Sequence, residues 1–382
     1  MSDAENAGES QTAEGSSESE ERHYSPLHAW HEAHGAEYLW EDGWPWTNHE
    51  GADPMAEYEA IRTGAGIWDL FATCKYEITG PDAARLVQRR FTNRVGDMRP
   101  GQVRYGAFVD ENGIMTDDGN AYRYADDRFI LMVNTPTLED WFRETAGDLD
   151  ASVRHRTEDF GMIAVQGPGA QETLQPLTER DLGELRYFRF WPEQTRVAGV
   201  DAWVQRTGFS GEKGYEILTS PGDTQTVWDA LLEAGATPFG LIAVDLARTE
   251  VGLIIIAVDY NPGEISPYDL SMDRFIVTDT ENVGAKALAE YGANPPRRFK
   301  TLKIESETAP DYGAAVTMDG RQVGTVTSPA VSPRVGTIGL AILDADASTD
   351  GTKVDVAVGD DTAPATVDVL SILDPNKERP RS

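Results

Sequence analysis

The chain has 382 residues, 65 of them Asp or Glu and 33 Lys or Arg, for a net charge of -32. That excess of carboxylates repels phosphate backbones and anionic lipid, which argues against nucleic acid or a membrane surface as partner. Nine Trp, 13 Tyr and 12 Phe exclude a wholly disordered chain. The longest aliphatic run, Val251 to Val258, falls far short of the ~20 residues that span a bilayer. The acidic N-terminus carries no signal-peptide pattern, and the lone Cys74 forms no internal disulfide. A reducing cytoplasm is the expected compartment.

Residues 1–22 are rich in Ser, Glu and Ala without apolar periodicity, and are read as a disordered acidic tail. Composition changes at His23. A short helix is expected over Glu57 to Thr63, then strand material from Ile67 to Thr79, stopped by Gly80-Pro81-Asp82, then a helix over Ala83 to Phe91. Arg104 to Val109 reads as a strand, with Asp110-Glu111-Asn112-Gly113 as a hairpin turn. Asp117-Asp118 follows, just before strands at Ala121 to Tyr124 and Phe129 to Val133, and Leu138 to Ala146 returns to helix. Phe160 to Gln166 is a strand followed by Gly167-Pro168-Gly169 and a helical Ala170 to Leu177. Ala202 to Arg206 and Gly214 to Leu218 form a further hairpin, and Asp223 to Ala234 and Gly240 to Glu250 are helical. Mixed elements without regular βαβ alternation indicate α+β. The run Ile78 to Ala84 echoes Val165 to Gln171: either two halves share one unit, or common Gly-Pro turns coincide.

Residues 293–300 read as a linker, and the alternating Val and Ile beyond it as a small all-β barrel or sandwich. The expected organisation is a tail (1–22), a body of two interleaved lobes (23–292), a barrel domain (293–376) and a polar tail (377–382). Removing the acidic tail leaves the remainder at -26, so the charge belongs to the folded surface. With only seven Lys against 26 Arg, it predicts a halophilic source, where molar salt screens the self-repulsion. There is no phosphate-cradling Gly-rich loop, no nucleophile elbow and no metal-ligand spacing, and His31 and His34 read as packing or surface residues.

Five blocks in register nevertheless resemble one family. Residues 64–82 (GAGIWDLFATCKYEITGPD), 100–124 (PGQVRYGAFVDENGIMTDDGNAYRY), 206–217 (RTGFSGEKGYEI), 240–252 (GLIAVDLARTEVG) and 324–340 (GTVTSPAVSPRVGTIGL) resemble the folate-dependent aminomethyltransferases. These comprise the glycine cleavage T-protein and relatives such as the folate domains of dimethylglycine and sarcosine dehydrogenases and the demethylases. The resemblance implies three lobes around a central channel, the last a β-barrel, and tetrahydrofolate as cofactor, with its pterin in the channel and its glutamate tail near the mouth.

It also implies roles. Glu216 falls where the family places the carboxylate that accepts the pterin 2-amino and N3–H groups. Asp118, with Asp117 beside it, aligns with the carboxylate that orients the folate and stabilises developing positive charge at N5. Tyr105 and Phe209 either pack against the pterin or belong to the core, and Asn134 aligns with a position beside the ligand. Arg248 and Glu250 are either an internal ion pair or ligand contacts. An acidic protein that binds an anionic folate would gather its few bases, such as Arg206, Arg248 and Arg334, at the channel.

The expected function is tetrahydrofolate-dependent transfer of a methyl or aminomethyl unit from a small-molecule one-carbon donor. Phe71-Ala72-Thr73 stands where glycine-cleavage members usually have Ser-His-Met, and Val244 where they usually have Arg, which counts against glycine cleavage itself, while Ser266 to Leu270 is closer to the demethylase-like branches; a demethylase or other one-carbon transferase of the fold fits at least as well. The alternatives are a true glycine-cleavage aminomethyltransferase, partnered by a lipoyl carrier protein, and a non-catalytic folate-binding protein.

Overall fold

The computed structural model describes residues 21–51 and 53–382. The expectation for the acidic tail lies outside them, apart from Glu21 and Arg22. The first described elements are a helix His28–Ala33, a hairpin of strands Glu37–Glu41 and Trp44–His49, and a helix Pro54–Thr63. Asp53 caps that last helix by accepting from the Met55 amide at 3.0 Å, and Pro54 fills its first turn.

The expected single strand Ile67 to Thr79 is two strands in different sheets, Gly66–Asp69 and Cys74–Thr79. Its polar residues Asp69, Thr73, Lys75 and Glu77 fall at alternate positions, as one continuous strand would have them, so the pattern hides the break. The Asp69 carboxylate makes it, accepting from the Phe71 amide at 3.0 Å and turning the chain across. The chain thus begins one sheet, crosses to build another, and returns.

The five-stranded sheet runs Gln102–Val109, Met115–Ala125, Arg128–Val133, Cys74–Thr79, Ser152–His155. The six-stranded sheet runs Thr195–Val197, Val200–Gln205, Gly214–Thr219, Gly161–Gln166, Gly66–Asp69, Thr237–Pro238. In both, one strand (Cys74–Thr79 or Gly161–Gln166) leads through a Gly-Pro turn to a helix, Ala83–Arg90 or Ala170–Leu174. A three-stranded meander follows, and its last strand pairs antiparallel with the leading one. The echo between Ile78 to Ala84 and Val165 to Gln171 is therefore a repeat of topology. Its two turn glycines adopt φ of 122° and 127°, and a Cβ on either would meet a backbone carbonyl oxygen within 2.4 Å.

Period-2 alternation gives each sheet two apolar faces. Tyr76 and Ile78 pack outward against Leu86 and Phe142, and Ile163 and Val165 pack outward against Trp228. The facing sides meet through Trp68, Tyr122, Ile130, Met132, Met162 and Leu218.

The C-terminal strands close a six-stranded barrel in the order Arg297–Ile304, Gly336–Asp344, Arg321–Ser332, Ala315–Met318, Lys353–Val358, Asp361–Asp368. Its first strand takes up Arg297 and Arg298, so the linker is shorter than residues 293–300. The helix Leu241–Glu250 seats the barrel on the sheets, as expected of a mixed α+β body with a barrel lobe. The segment expected to be a polar tail is docked: Arg379 pairs with Glu212 at 2.6 Å and Pro380 is buried. Among the described residues no helix is long and apolar enough to cross a membrane.

Candidate functional site

Asp117 and Asp118 lie within the strand Met115–Ala125 rather than before it, and alternation sends them to opposite faces. Asp117 is buried and saturated. It accepts from the backbone amides of Asp118 (2.7 Å), Asn134 (3.1 Å) and Thr135 (2.8 Å), and from Asn134 Nδ2 (2.8 Å). It therefore pins the end of the neighbouring strand and holds Asn134, whose amide nitrogen is committed to protein acceptors.

Asp118 faces the space between the sheets. It accepts from the Tyr105 hydroxyl at 2.7 Å and from the Tyr260 hydroxyl. Burial, then the charge of Asp117, pushes its carboxyl up to about 7, against the pull of the two hydroxyls. Tyr260 carried no sequence signal: it follows the aliphatic run Val251 to Val258, which forms no strand, and meets Asp118 only through the fold.

Glu216 reaches the same space from the opposite sheet, on the strand Gly214–Thr219. Its Oε2 accepts from the Thr207 hydroxyl and, at 3.2 Å, from the Tyr122 hydroxyl. Tyr122 sits four residues beyond Asp118 on the same strand face, so one strand carries Asp118 and also braces Glu216. Among the described residues none donates to Glu216 Oε1. Burial pushes this carboxyl up as well. Phe209 packs against the inter-sheet cluster, and Tyr105 stands edge-on to Phe275 with ring centres 4.9 Å apart.

The structure thus brings Tyr105, Asp117, Asp118, Asn134, Phe209 and Glu216 to one region. Arg248, Glu250 and Arg334 lie elsewhere, between body and barrel. Arg248 is fully buried, bonded to Asp259 (2.7 Å), Asp245 (2.6 Å) and Ser328 (2.6 Å). Glu250 accepts from Tyr58, Ser332 and Arg62, the last at 2.6 Å. The two residues pair with separate partners rather than with each other. Arg334 forms a two-point pair with Glu59 at 2.8 Å, and Arg206 donates to the Leu185 and Ser382 carbonyls. The expected gathering of these three bases at the channel does not occur, because each finds an acceptor on its own interface.

His31 is also internal. It lies between Glu50 (2.9 Å) and Asp69 (3.2 Å). Burial opposes its charge, but the two carboxylates raise its pKa to about 9. Among the described residues no cluster of His, Cys, Asp or Glu has metal-site geometry.

Residues 27–280 match the GCVT N-terminal domain, and residues 297–374 the glycine cleavage T-protein C-terminal barrel domain. The chain belongs to the glycine cleavage T-protein family. It is 36% identical over 363 residues to a probable aminomethyltransferase of Halobacterium salinarum, covering 92% of this chain and 98% of that protein. It is 32% identical over 350 residues to an aminomethyltransferase of Herpetosiphon aurantiacus, covering 90% and 96%. The fold is shared with the glycine cleavage system aminomethyltransferase T from Bartonella henselae, at a TM-score of 0.83 and 24% identity over 91% of this chain and 97% of that one. As a T-protein family member the chain is a one-carbon transferase, and the family uses tetrahydrofolate. The described residues fit that group: among them none donates to Glu216 Oε1 or to the buried Asn120 Oδ1, and Tyr105 and Phe209 supply aromatic surface.

Proposed function

We propose that the chain moves a one-carbon unit from a small donor to N5 of tetrahydrofolate, held between the two sheets. The observation that carries this reading is the pair of buried carboxylates, Glu216 and Asp118, that enter one space from opposite sheets. Tetrahydrofolate supplies the nucleophilic nitrogen that takes the carbon. The chain supplies position and electrostatics. Thr207 and Tyr122 lock Glu216 Oε2, which leaves Oε1 to receive pterin N–H donors. Tyr105 and Tyr260 fix the rotamer of Asp118, and a carboxyl that titrates near 7 can hold or release a proton beside N5 at working pH. Asp117 and Asn134 act behind it as positioning residues. The catalytic body is assigned to residues 23–292, backed by a barrel domain of 293–376, with 377–382 as its terminal segment.

Phe71 and Ala72 are buried against Trp44 and Trp46, an apolar wall that favours a small methylated donor such as an amine, sulfonium or methoxy compound. Glycine cleavage is the second reading, favoured by the names of relatives matched over nearly the whole chain. The T-protein family works with a lipoyl carrier protein, and such a carrier would then be the partner here. A donor screen with tetrahydrofolate, read by mass spectrometry, separates the two: 5-methyl product supports the first and 5,10-methylene product from an aminomethyl-lipoyl carrier supports the second. Glu216→Ala should weaken folate binding by about tenfold or more. Asp118→Asn should bind folate normally and lose turnover, and an Asp118→Asn chain with full activity would remove Asp118 from the mechanism.

A further inference from the structure

Among the described residues, Lys75 is a buried ammonium group without a carboxylate in salt-bridge contact. It is fully buried on the strand Cys74–Thr79, and among these residues its Nζ donates only to the Leu70 and Phe71 carbonyls, at 3.3 and 3.0 Å. Burial drags its pKa down to about 8, with Asp69 and Glu216 offsetting this only through space. A cation so placed is costly unless something compensates it.

The register shows where it faces. Lys75 lies opposite Met132, and Met132 opposite Asn120, so the three form one row across the sheet. Met132 belongs to the inter-sheet cluster, which places Lys75 and Asn120 on that face too. Tyr122, two residues beyond Asn120, is one of the two hydroxyls that donate to Glu216. Three polar groups without a partner for that bond among the described residues therefore address one space: the third N–H of Lys75, Oδ1 of Asn120 and Oε1 of Glu216.

A pterin presents in sequence along one edge a 2-amino donor, an N3–H donor and an O4 acceptor. A carboxylate satisfies the first two, and the third calls for a donor beside that carboxylate. We propose that Lys75 donates to pterin O4 and is a specificity residue, completing the reading of the edge that Glu216 begins. This rests on the folate reading above.

The test uses the full chain, its Trp fluorescence, and two ligands: tetrahydrofolate and its 4-amino analogue, in which a donor replaces O4 and N3 loses its hydrogen. Wild type should prefer the 4-oxo ligand by about tenfold or more, with Lys75 at O4 and Glu216 at N3–H both contributing. Lys75→Met should shrink that preference by about threefold or more, mainly by weakening the 4-oxo ligand, and leave the share that belongs to N3–H. It should also fold, and melt higher than wild type, because an apolar side chain of similar volume replaces a buried charge. A folded Lys75→Met chain that keeps the full preference overturns the proposal. So does a wild-type chain that binds both ligands equally, which decides the matter even if the variant does not fold. A wild-type chain that binds neither ligand sinks the folate reading instead.

Discussion

Asp118 keeps its proton to far higher pH than an exposed aspartate, since burial and the Asp117 charge raise it from an ordinary 3.8 to about 7. The unfolded chain releases that proton at the ordinary value, so across this window the native state binds more protons than the unfolded one. Stability therefore falls as pH rises toward 7, and the full cost persists above it. Asp118→Asn removes the titration and keeps the shape. It is expected to melt a few degrees above wild type at pH 8, to match it near pH 4, and to be inactive, as thermal melts at the two pH values can check. Asp118 and Glu216 could be singled out in the sequence as candidates because each sits in a contiguous block that resembles the family. Their partners Tyr260, Tyr122 and Thr207 were not. These contacts span up to 142 residues, and nothing local marks a tyrosine that will meet a carboxylate only after folding.

At the level of elements, the helix Leu241–Glu250 links sheets and barrel through buried charge. Arg248 spends its guanidinium on Asp245, Asp259 and Ser328, the last on a barrel strand. Arg248→Met leaves Asp259 buried with hydroxyl donors but no cation, and is expected to cost about 3–5 kcal/mol in denaturant unfolding. Sequence pattern located this helix and the barrel well, because amphipathic spacing and alternating Val runs are local signals. It failed where a strand-like alternation ran on through a break. Gly66–Asp69 and Cys74–Thr79 read as one strand because Asp69, Thr73, Lys75 and Glu77 keep period 2 across the turn between them. Val251 to Val258, the longest aliphatic run, forms no strand, and its Ile255 amide is bonded to the Asp259 carboxylate at 2.9 Å. The repeat of the two sheets was visible only at its Gly-Pro turns, since the strands on either side share little but hydrophobicity.

The sequence carries a net charge of -32, while key ion pairs among the described residues are internal. Relatives from Halobacterium salinarum and Haloarcula marismortui fit a halophilic origin, and stability is expected to rise with KCl as screening shortens to a few Å. Net charge thus describes the solvent the protein tolerates, and says little about its ligand. In the proposed reading ligand recognition is local: Oε1 of Glu216, the Lys75 ammonium and aromatic surface lie in a space that water barely reaches. The most direct test of that claim is a tetrahydrofolate titration of the wild-type chain in molar KCl, followed by quenching of its nine tryptophans. Saturable binding at micromolar ligand, lost in Glu216→Ala, is the predicted result. No binding at millimolar tetrahydrofolate would contradict the account.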